Sequence, residues 1–281
     1  MSLEEIVSVT KATKDAGVPI DRLAYNALEK PTTELGEGLG NLFWLAFSPL
    51  HVVRASLEPR INQFKRNLEN KLSTIPPGNL IEPPLNIAGP ALEAAKYYIE
   101  DENLREMFAN LIASAMNSEK TNITHPAFVE IIKQLSSFDA QILMDIVEYE
   151  ASFPIGRLQI NTYQKENKNR YLPEQEDSFS IILTHIMPFD DLSIDNAFFY
   201  SASIDNLCRL SLIEVDYSNA YKNTEIYDSL INHVILDQFR DQYKNQLEEN
   251  KRIELRKGIW SFTQLGKLFI EACLPDETII P

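Results

Sequence analysis

The histidines and cysteines are the side chains best suited to metal binding or nucleophilic catalysis, and their spacing predicts neither function. No histidine belongs to an HExxH motif or stands at metal-ligand spacing from a cysteine. The four histidines are His51, His125, His185 and His233. Cys208 and Cys273 fall on apolar helical faces without a neighbouring base, so we expect buried, reduced thiols. We therefore predict no metal site, no cofactor and no catalytic residue.

Two of the histidines have simple structural interpretations. His125 precedes Pro126 at the start of a predicted helix, where we expect it to make a structural hydrogen bond. His233 falls within a long helix predicted over residues 224–250, one turn before Asp237, so a surface ion pair would account for it. The sequence contains no nucleophile elbow, Walker motif or kinase signature. It therefore favours binding over catalysis, with an enzyme of unrecognised type as the alternative.

A glycine-spaced apolar stretch near the N-terminus has two interpretations. Gly36, Gly38 and Gly40 do not form a phosphate loop, because no strand precedes them and no Lys-Ser/Thr pair follows. Their spacing lets another helix approach closely. Residues 39–57 therefore predict a buried helix pair that is broken at Pro49. The alternative is a membrane-associating segment over residues 32–53.

Residues 54–72 are the one locally basic stretch of the chain, and their apolar residues recur at helical spacing. A solvated helix face is one interpretation, and docking on an anionic surface of lipid or nucleic acid is the other. The candidate contacts are Arg54, Arg60, Lys65 and Arg66. Together with residues 32–53, this stretch is the basis of a membrane-acting hypothesis.

Charge and composition disfavour two classes of protein. The 281-residue chain has a formal charge of −15, which disfavours general nucleic-acid binding. Its two cysteines are too few for a secreted fold held together by disulfides. The acidic N-terminus, without a long apolar core, does not have the pattern of a signal peptide, so we expect a cytoplasmic protein.

Residues 1–135 predict a helical domain. Residues 75–90 contain five prolines, which exclude a regular helix, yet apolar residues lie between them. We therefore expect a packed arm that lies across the helices, since an exposed linker would be more polar. The clearest helical stripes follow it, over residues 91–116 and 126–147.

Residues 136–281 predict a winged-helix-like α+β domain with insertions. The pattern indicates a short strand from Phe153, an exposed loop over 161–178, a helix over 201–210 and a strand over 212–217. The long 224–250 helix would follow as an insertion. The predicted fold class is thus mainly α, with an N-terminal helical bundle, the packed arm and this C-terminal region.

The last strands of that region predict a β-hairpin that turns near Lys257 and Gly258. Arg256 and Lys257 would then lie in the wing and are candidate contacts for an anionic surface. The predicted recognition helix offers only Arg209, alongside Asp205. Because a DNA reader needs a cationic recognition helix, the sequence favours a protein-interaction module and keeps a DNA-binding regulator as an alternative.

One family resemblance is carried by residues 75–143. The run IPPGNLIEPPLNIAGPALEAAKYYIEDENLREMFANLIASAMN, followed by HPAFVEIIKQLSSFDAQIL, resembles the abortive infection alpha family. The resemblance extends from residues 35–40 to the closing IWSFTQLGKLFIEAC and is weakest across 161–200. It implies a bacterial role in phage defence, in which an infected cell stops growing or dies, and it supplies no catalytic residues.

Several polar residues of the same region are harder to explain by packing of helical stripes. They are candidates for an interaction surface or for a buried polar network: Asn79, Glu82, Asn86, Glu93, Arg105, Glu106, Asn110, His125 and Glu130. The leading hypothesis is a non-enzymatic defence protein that binds another protein, either a phage component or a second copy of itself. A homo-oligomer fits this hypothesis, whereas binding to a membrane surface belongs to the alternative based on residues 32–72, and nucleic acid is disfavoured as a partner.

Overall fold

A computed structural model describes residues 36–53, 55–149, 154–163 and 176–275 of the chain. Helices predominate among these residues, which also include one four-stranded antiparallel sheet. The fold is therefore mixed α/β, which confirms the predicted helical content and adds a larger sheet than expected. By its internal contacts the chain divides into two compact units, with the division between Gln134 and Leu135.

The first unit is helical in its described residues. Its α-helices are α1 (Gly36–Val53), α2 (Glu58–Ser73), α3 (Leu85–Ala95), α4 (Glu102–Ala115) and α5 (Ala127–Gln134), with a 3-10 turn at Ala55–Leu57. Helix α2 buries Ile61, Phe64, Leu68 and Leu72, which recur every three or four residues on one face. Helix α4 is buried along nearly its whole length and forms the centre of the unit.

Helix α1 runs without interruption through position 49, so the predicted break at Pro49 is wrong. An interior proline removes one helical hydrogen bond, and packing of the preceding turns outweighs that loss. Phe43 and Phe47 stack at 4.6 Å between ring centroids and reach the ring of Phe64 at 5.9 and 5.7 Å. Trp44 and Leu45 lie on the exposed side. Among the described helices, none has the length and apolarity needed to cross a bilayer.

The proline-rich arm is only partly irregular. Residues 75–84 contain no helix and are joined to the chain beyond α4 by backbone hydrogen bonds from Ile81 to Met116 (2.9 Å) and from Ser118 to Asn79 (2.8 Å). Helix α3 then begins at Leu85, so the exclusion of a helix up to residue 90 is wrong. The reason is that Pro90 and Asn86 face solvent, where water can satisfy the carbonyl that loses its partner.

The second unit combines helices with the sheet. Its elements are α6 (Ser137–Tyr149), β1 (Ile155–Tyr163), β2 (Glu176–Ile186), α7 (Ala197–Arg209), β3 (Ile213–Asp216), a 3-10 turn (Thr224–Tyr227), α8 (Asp228–Ile231), α9 (Val234–Tyr243), β4 (Lys251–Phe262) and α10 (Gln264–Cys273). The strand order is β2-β1-β4-β3. Strands β1 and β2 extend into both ends of the predicted 161–178 loop, whose residues 164–175 lie outside the described residues.

The long helix predicted over residues 224–250 is wrong. The chain instead forms the 3-10 turn, α8 and α9, with a break at Asn232 and His233. His233 caps α9, because its Nδ1 accepts a hydrogen bond of 3.2 Å from the backbone N–H of Ile235. The expected ion pair between His233 and Asp237 is also wrong, since Asp237 pairs with Arg240 at 2.9 Å.

The predicted hairpin near Lys257 and Gly258 is wrong as well, because β4 is one continuous strand. Its first part pairs with β1, up to Gly258 opposite Ile155, and its last four residues pair with β3, from Ile259 to Phe262. A Cβ at position 258 would lie only 2.7 Å from the ring of Tyr217. Gly258 therefore permits a close approach of this ring and does not form a turn.

Helix α10 is held against the start of β3 by a second close approach. Thr263 caps α10, and its backbone N–H donates to the carbonyl oxygen of Leu212 at 3.1 Å. The next turn brings Gly266 so close that a Cβ there would overlap the same carbonyl oxygen. Ser211, with φ of 58°, directs the chain into this contact. The sequence alone gave no sign of it.

We expect Phe64→Ala to lower the free energy of unfolding by about 3–5 kcal/mol, because it removes a fully buried ring from the aromatic cluster. Leu45→Ala, on the exposed side of α1, should change this free energy by less than about 0.5 kcal/mol. Urea unfolding followed by circular dichroism measures both. Equal losses would contradict the packing of α1 against α2.

We also expect Gly266→Ala to destabilise the protein by at least about 2 kcal/mol, because backbone atoms must move to admit the methyl group. Gly89→Ala is the matched helical control, since a Cβ there meets nothing within 4 Å. Its free energy of unfolding should stay within about 1 kcal/mol of wild type, because two effects oppose each other: helix propensity favours alanine over glycine, and Pro90 disfavours a helical alanine before it. Thermal unfolding compares the two variants.

Candidate functional site

Two arginines lie directly opposite each other in the sheet of the second unit. The register of β1 and β4 places Arg157 across from Arg256, and both side chains therefore project from the same face. In the described part of the chain, neither guanidinium forms an ion pair with a carboxylate. Like charges in this position repel each other, so the pair needs a physical explanation.

Aromatic rings hold the first of these guanidiniums. The Cζ of Arg157 lies 4.9 Å from the ring centroid of Phe179 and 4.9 Å from that of Tyr217. Its Nε donates a hydrogen bond of 3.1 Å to the side-chain oxygen of Gln159. Cation–π contacts with two rings restrain the guanidinium without neutralising its charge.

Arg256 is held more loosely at the edge of the same site. Its Nε donates a hydrogen bond of 3.1 Å to the backbone carbonyl of Tyr217, and its side chain is exposed. Together the two arginines line a cleft of about 340 Å³, which we call the arginine cleft. Its lining residues are Arg157, Gln159, Glu176, Phe179, Tyr217, Ser218 and Arg256.

Tyr217 lines the arginine cleft, and its hydroxyl is held by contacts with the protein. Its hydroxyl lies 2.9 Å from the carbonyl oxygens of Gly156 and Thr184, to one of which it donates at a time. It also lies 2.9 Å from Nδ1 of His185, whose Nε2 is 3.2 Å from a carboxylate oxygen of Asp205. Burial raises the pKa of the Tyr217 phenol well above its usual range, so the hydroxyl stays protonated.

The imidazole of His185 is buried beside this hydroxyl. Burial lowers its pKa, the Asp205 carboxylate raises it, and the charge of Arg157 lowers it further, with burial as the largest effect. His185 is therefore neutral at pH 7, so it adds no positive charge beside Arg157. Burial similarly raises the pKa of the Cys208 thiol to about 11, which keeps this cysteine unreactive.

A chain of polar side chains continues from Arg157 along the same face of the sheet. Gln159 donates to Asn161 at 2.6 Å, and Asn161 donates to Glu254 at 2.7 Å. The hydroxyl of Tyr163 donates to the other oxygen of Glu254 at 2.6 Å. Gln159 and Asn161 are each 4% exposed, so these bonds satisfy polar groups that water does not reach.

Strand β2 forms the open side of this sheet. The side chains of residues 176–181, which we call the β2 edge, are all exposed, including Phe179 and Ile181 at 48% each. Its outer side has no neighbouring strand in the part of the chain that the structure describes. Nearer the end of β2, helix α7 contacts the strand, and the hydroxyl of Ser201 accepts a hydrogen bond from the backbone N–H of His185.

Most of the polar candidates from residues 79–130 are exposed and spread over the first unit. Glu93 pairs with Lys96, and Glu130 pairs with Lys133 at 2.9 Å within its own helix. Asn79 contributes backbone bonds to the arm, and Glu82 and Asn86 are exposed. His125 makes the expected structural hydrogen bond, because its Nδ1 accepts from the N–H of Ala127 at 3.1 Å.

Three candidates on α4 lie deeper. Arg105 is 2% exposed and donates to the carbonyl of Ile99 at 2.7 Å, while Asn110 is 8% exposed. Glu106 is half-buried and accepts from the amide of Asn67 at 3.2 Å and pairs with Lys71. The structure thus separates a buried polar set on α4 from the exposed candidates and does not gather the nine residues into one cleft.

The basic candidates are also dispersed. Arg60 is exposed and reaches the carbonyl of Glu100 at 3.5 Å, Lys65 lies 3.8 Å from Glu69, and Arg66 is exposed. Arg54 lies outside the described residues. Lys257 lies in the middle of β4, and its Nζ is 5.0 Å from the ring centroid of Tyr227. The membrane-acting and DNA-binding hypotheses stay predictions.

Sequence reasoning missed Arg157, Phe179 and Tyr217, and only Arg256 of the arginine cleft was a candidate. One signal could have pointed to it. Every second residue of β1 carries a polar group, which indicates a strand with one polar face; these residues are Arg157, Gln159, Asn161 and Tyr163. The partner strands could not be identified in this way, because β4 lies about ninety residues further along the chain.

Comparison with known proteins identifies one family. The model of the family described as abortive infection alpha matches residues 56–273, which is most of the chain. This match confirms the resemblance seen in the sequence. No curated protein and no solved structure matches the chain.

The buried histidine gives a prediction about pH. An unfolded histidine has a pKa of about 6.5, and that of folded His185 is lower. The unfolded state therefore binds the proton first, and folding stability should fall as the pH drops below about 6.5. Urea unfolding between about pH 7.5 and about pH 5.5 should show a smaller loss for His185→Gln than for wild type. The exposed His125→Gln should keep the wild-type loss, and an equal loss in all three proteins would contradict the assignment.

Proposed function

Since the chain belongs to the abortive infection alpha family, we propose that it acts in phage defence by binding protein, and that its partner is a second copy of the same chain. Membership of the family supports a function related to abortive infection. The proposal adds the mechanism, which is assembly in the cytoplasm without a chemical reaction. One observation carries it, namely the β2 edge.

An unprotected edge strand is a liability in a folded protein. It presents unpaired N–H and C=O groups that can pair with another strand, and proteins shield such edges with charges, prolines, bulges or covering elements. In the β2 edge, residues 178–181 read Ser-Phe-Ser-Ile, without charge or proline, and this run pairs regularly with β1 between two register shifts. The two apolar side chains of this run are half-exposed. Strand addition to this edge would bury them and satisfy the backbone.

The sequence of the β2 edge suits an antiparallel pair with itself. If the two-fold axis passes through Ser180, Phe179 of one copy lies directly opposite Ile181 of the other, and the reverse pair forms at the same time. Aromatic and β-branched residues are favourable cross-strand partners. Both pairs project from the same face, since residues 179 and 181 are two apart on one strand.

Charge is the main force against this assembly, because each chain carries a formal charge of −15. In the symmetric register, however, the acidic residues of the edge do not meet. Counted from Ser180, Asp177 comes opposite Leu183 of the other copy and Glu176 opposite Thr184, beyond the regular run of residues 178–181. The remaining repulsion acts at long range and is screened by salt. We therefore expect association to strengthen as the ionic strength rises.

The winged-helix-like character of the second unit is part of the same proposal. What supports it is the set of α6, α7 and α10 around β1, β4 and β3, with β4 between the other two strands. Two features depart from a simple version of that fold. Strand β2 is added at one edge, and the stretch between Asp216 and Lys251 replaces a short wing. The added strand is the one that carries the open edge.

We expect Ile181→Lys to abolish self-association of the purified protein. The lysine would place a charge beside Phe179 of the second copy, where an apolar contact is proposed. Leu85→Lys is the matched control, because Leu85 is an exposed leucine, at 71%, on a helix of the other unit. Sedimentation velocity over a range of concentrations measures the association, and circular dichroism checks that both variants fold.

The same variants test the link to defence in cells challenged with phage. Ile181→Lys should lose protection, and Leu85→Lys should keep it. A wild-type protein that remains monomeric at every concentration, or an Ile181→Lys variant that assembles as well as wild type, would overturn the proposal.

A further inference from the structure

We propose that the arginine cleft is a binding site for the phosphate group of a small phosphorylated compound of about nucleotide size. Nothing in the family assignment specifies a ligand, and the proposal is independent of self-association. It rests on the charge, the geometry and the size of the cleft.

The charge argument starts from the cross-strand pair. Arg157 and Arg256 face each other across β1 and β4, and like charges in this position destabilise a sheet. The chain as a whole is strongly acidic, with a formal charge of −15, yet neither arginine forms an ion pair among the described residues. A dianionic phosphate placed between the two guanidiniums would remove their repulsion and gain charge-assisted hydrogen bonds.

The hydrogen bonds inside the protein leave the outer donors of both arginines available. Each Nε is already used, by Gln159 for Arg157 and by the Tyr217 carbonyl for Arg256. These bonds orient the guanidiniums and leave their terminal Nη groups without a protein partner among the described residues. Planar forks of N–H donors match the oxygens of a phosphate better than single ammonium groups do.

Preorganisation strengthens this arrangement. The rings of Phe179 and Tyr217 both contact the Arg157 guanidinium, and the hydroxyl of Tyr217 is hydrogen-bonded to a backbone carbonyl. Ligand binding therefore costs less side-chain entropy at Arg157 than at a free surface arginine. The neutral state of His185, next to Tyr217, keeps the positive charge of the site on the two arginines.

The size of the cleft limits the ligand. Its volume of about 340 Å³ lies at the lower end of the range for small-molecule sites, which begins at about 300 Å³. The exposed part of the Phe179 ring lines the cleft and offers an apolar surface to the organic part of the ligand. A phosphate monoester with one planar group fits this volume.

One residue of the cleft opposes anion binding. Glu176 lines it at the exposed end of β2 and brings a negative charge to the rim. The two arginines outnumber it, so the charge of the lining stays positive at pH 7. Removal of this carboxylate should therefore increase the affinity for a phosphate ligand, which gives the test a variant with the opposite sign.

The test uses adenosine monophosphate as the probe, with inorganic phosphate and adenosine as comparisons, in isothermal titration calorimetry of the full chain at low salt. We expect adenosine monophosphate to bind, inorganic phosphate to bind more weakly and adenosine not to bind. Arg157→Gln and Arg256→Gln should each weaken binding at least about tenfold. Glu176→Gln should tighten it, and a higher salt concentration should weaken it.

Arg60→Gln is the matched control, since Arg60 is also an exposed arginine that donates to one backbone carbonyl, and it should bind like wild type. Arg256 is exposed, so Arg256→Gln should fold normally. It therefore tests the proposal even if Arg157→Gln, which removes a stacked side chain, fails to fold. Failure of adenosine monophosphate to bind wild type, or equal binding by wild type and both arginine variants, would overturn the proposal. Ile181→Lys should keep full binding, so the result does not depend on self-association.

Discussion

The pairing of β1 with β4 is the interaction on which the second unit depends. These strands come together over residues 155–162 and 251–258, across about ninety residues of intervening chain. The pairing closes the sheet between β2 and β3, places Arg157 opposite Arg256, and brings Glu254 to Asn161 and Tyr163. Closing so long a loop costs entropy, and the buried hydrogen bonds along the polar face, together with the apolar contacts on the other, offset that cost.

The polar face is unusual because its hydrogen bonds are both buried and directional. If Gln159 or Asn161 lost its hydrogen-bond partner, the folded state would be destabilised, since an unsatisfied buried polar group costs about 1–3 kcal/mol. Glu254 at one end accepts bonds and Arg157 at the other donates them, so the chain of bonds has a defined direction. The hydrogen bond to Gln159 and the contacts with two aromatic rings together position Arg157 in the lining of the arginine cleft.

The sequence predicted the first unit better than the second, and the reason lies in the range of the interactions. The stripe of Ile61, Phe64 and Leu68 depends on residues three and four apart, which a reader of the sequence can see. Strand β4 was divided into a hairpin because Lys257 and Gly258 have the local signature of a turn. Only the ring of Tyr217 explains the glycine, and its place against β4 follows from pairing with distant strands. The same applies to the arginine cleft, whose members come from four separate segments.

The β2 edge and the arginine cleft are adjoining surfaces that share two side chains, those of Glu176 and Phe179. The Phe179 ring contacts the Arg157 guanidinium and is 48% exposed, so a second copy can also reach it. A ligand that changes the position of this ring would change the free energy of strand pairing. Thermodynamic linkage then requires that pairing change the affinity for the ligand by the same factor. Because the ligand and the second copy both use the exposed part of the Phe179 ring, the sign of this coupling depends on whether the ring can contact both at once.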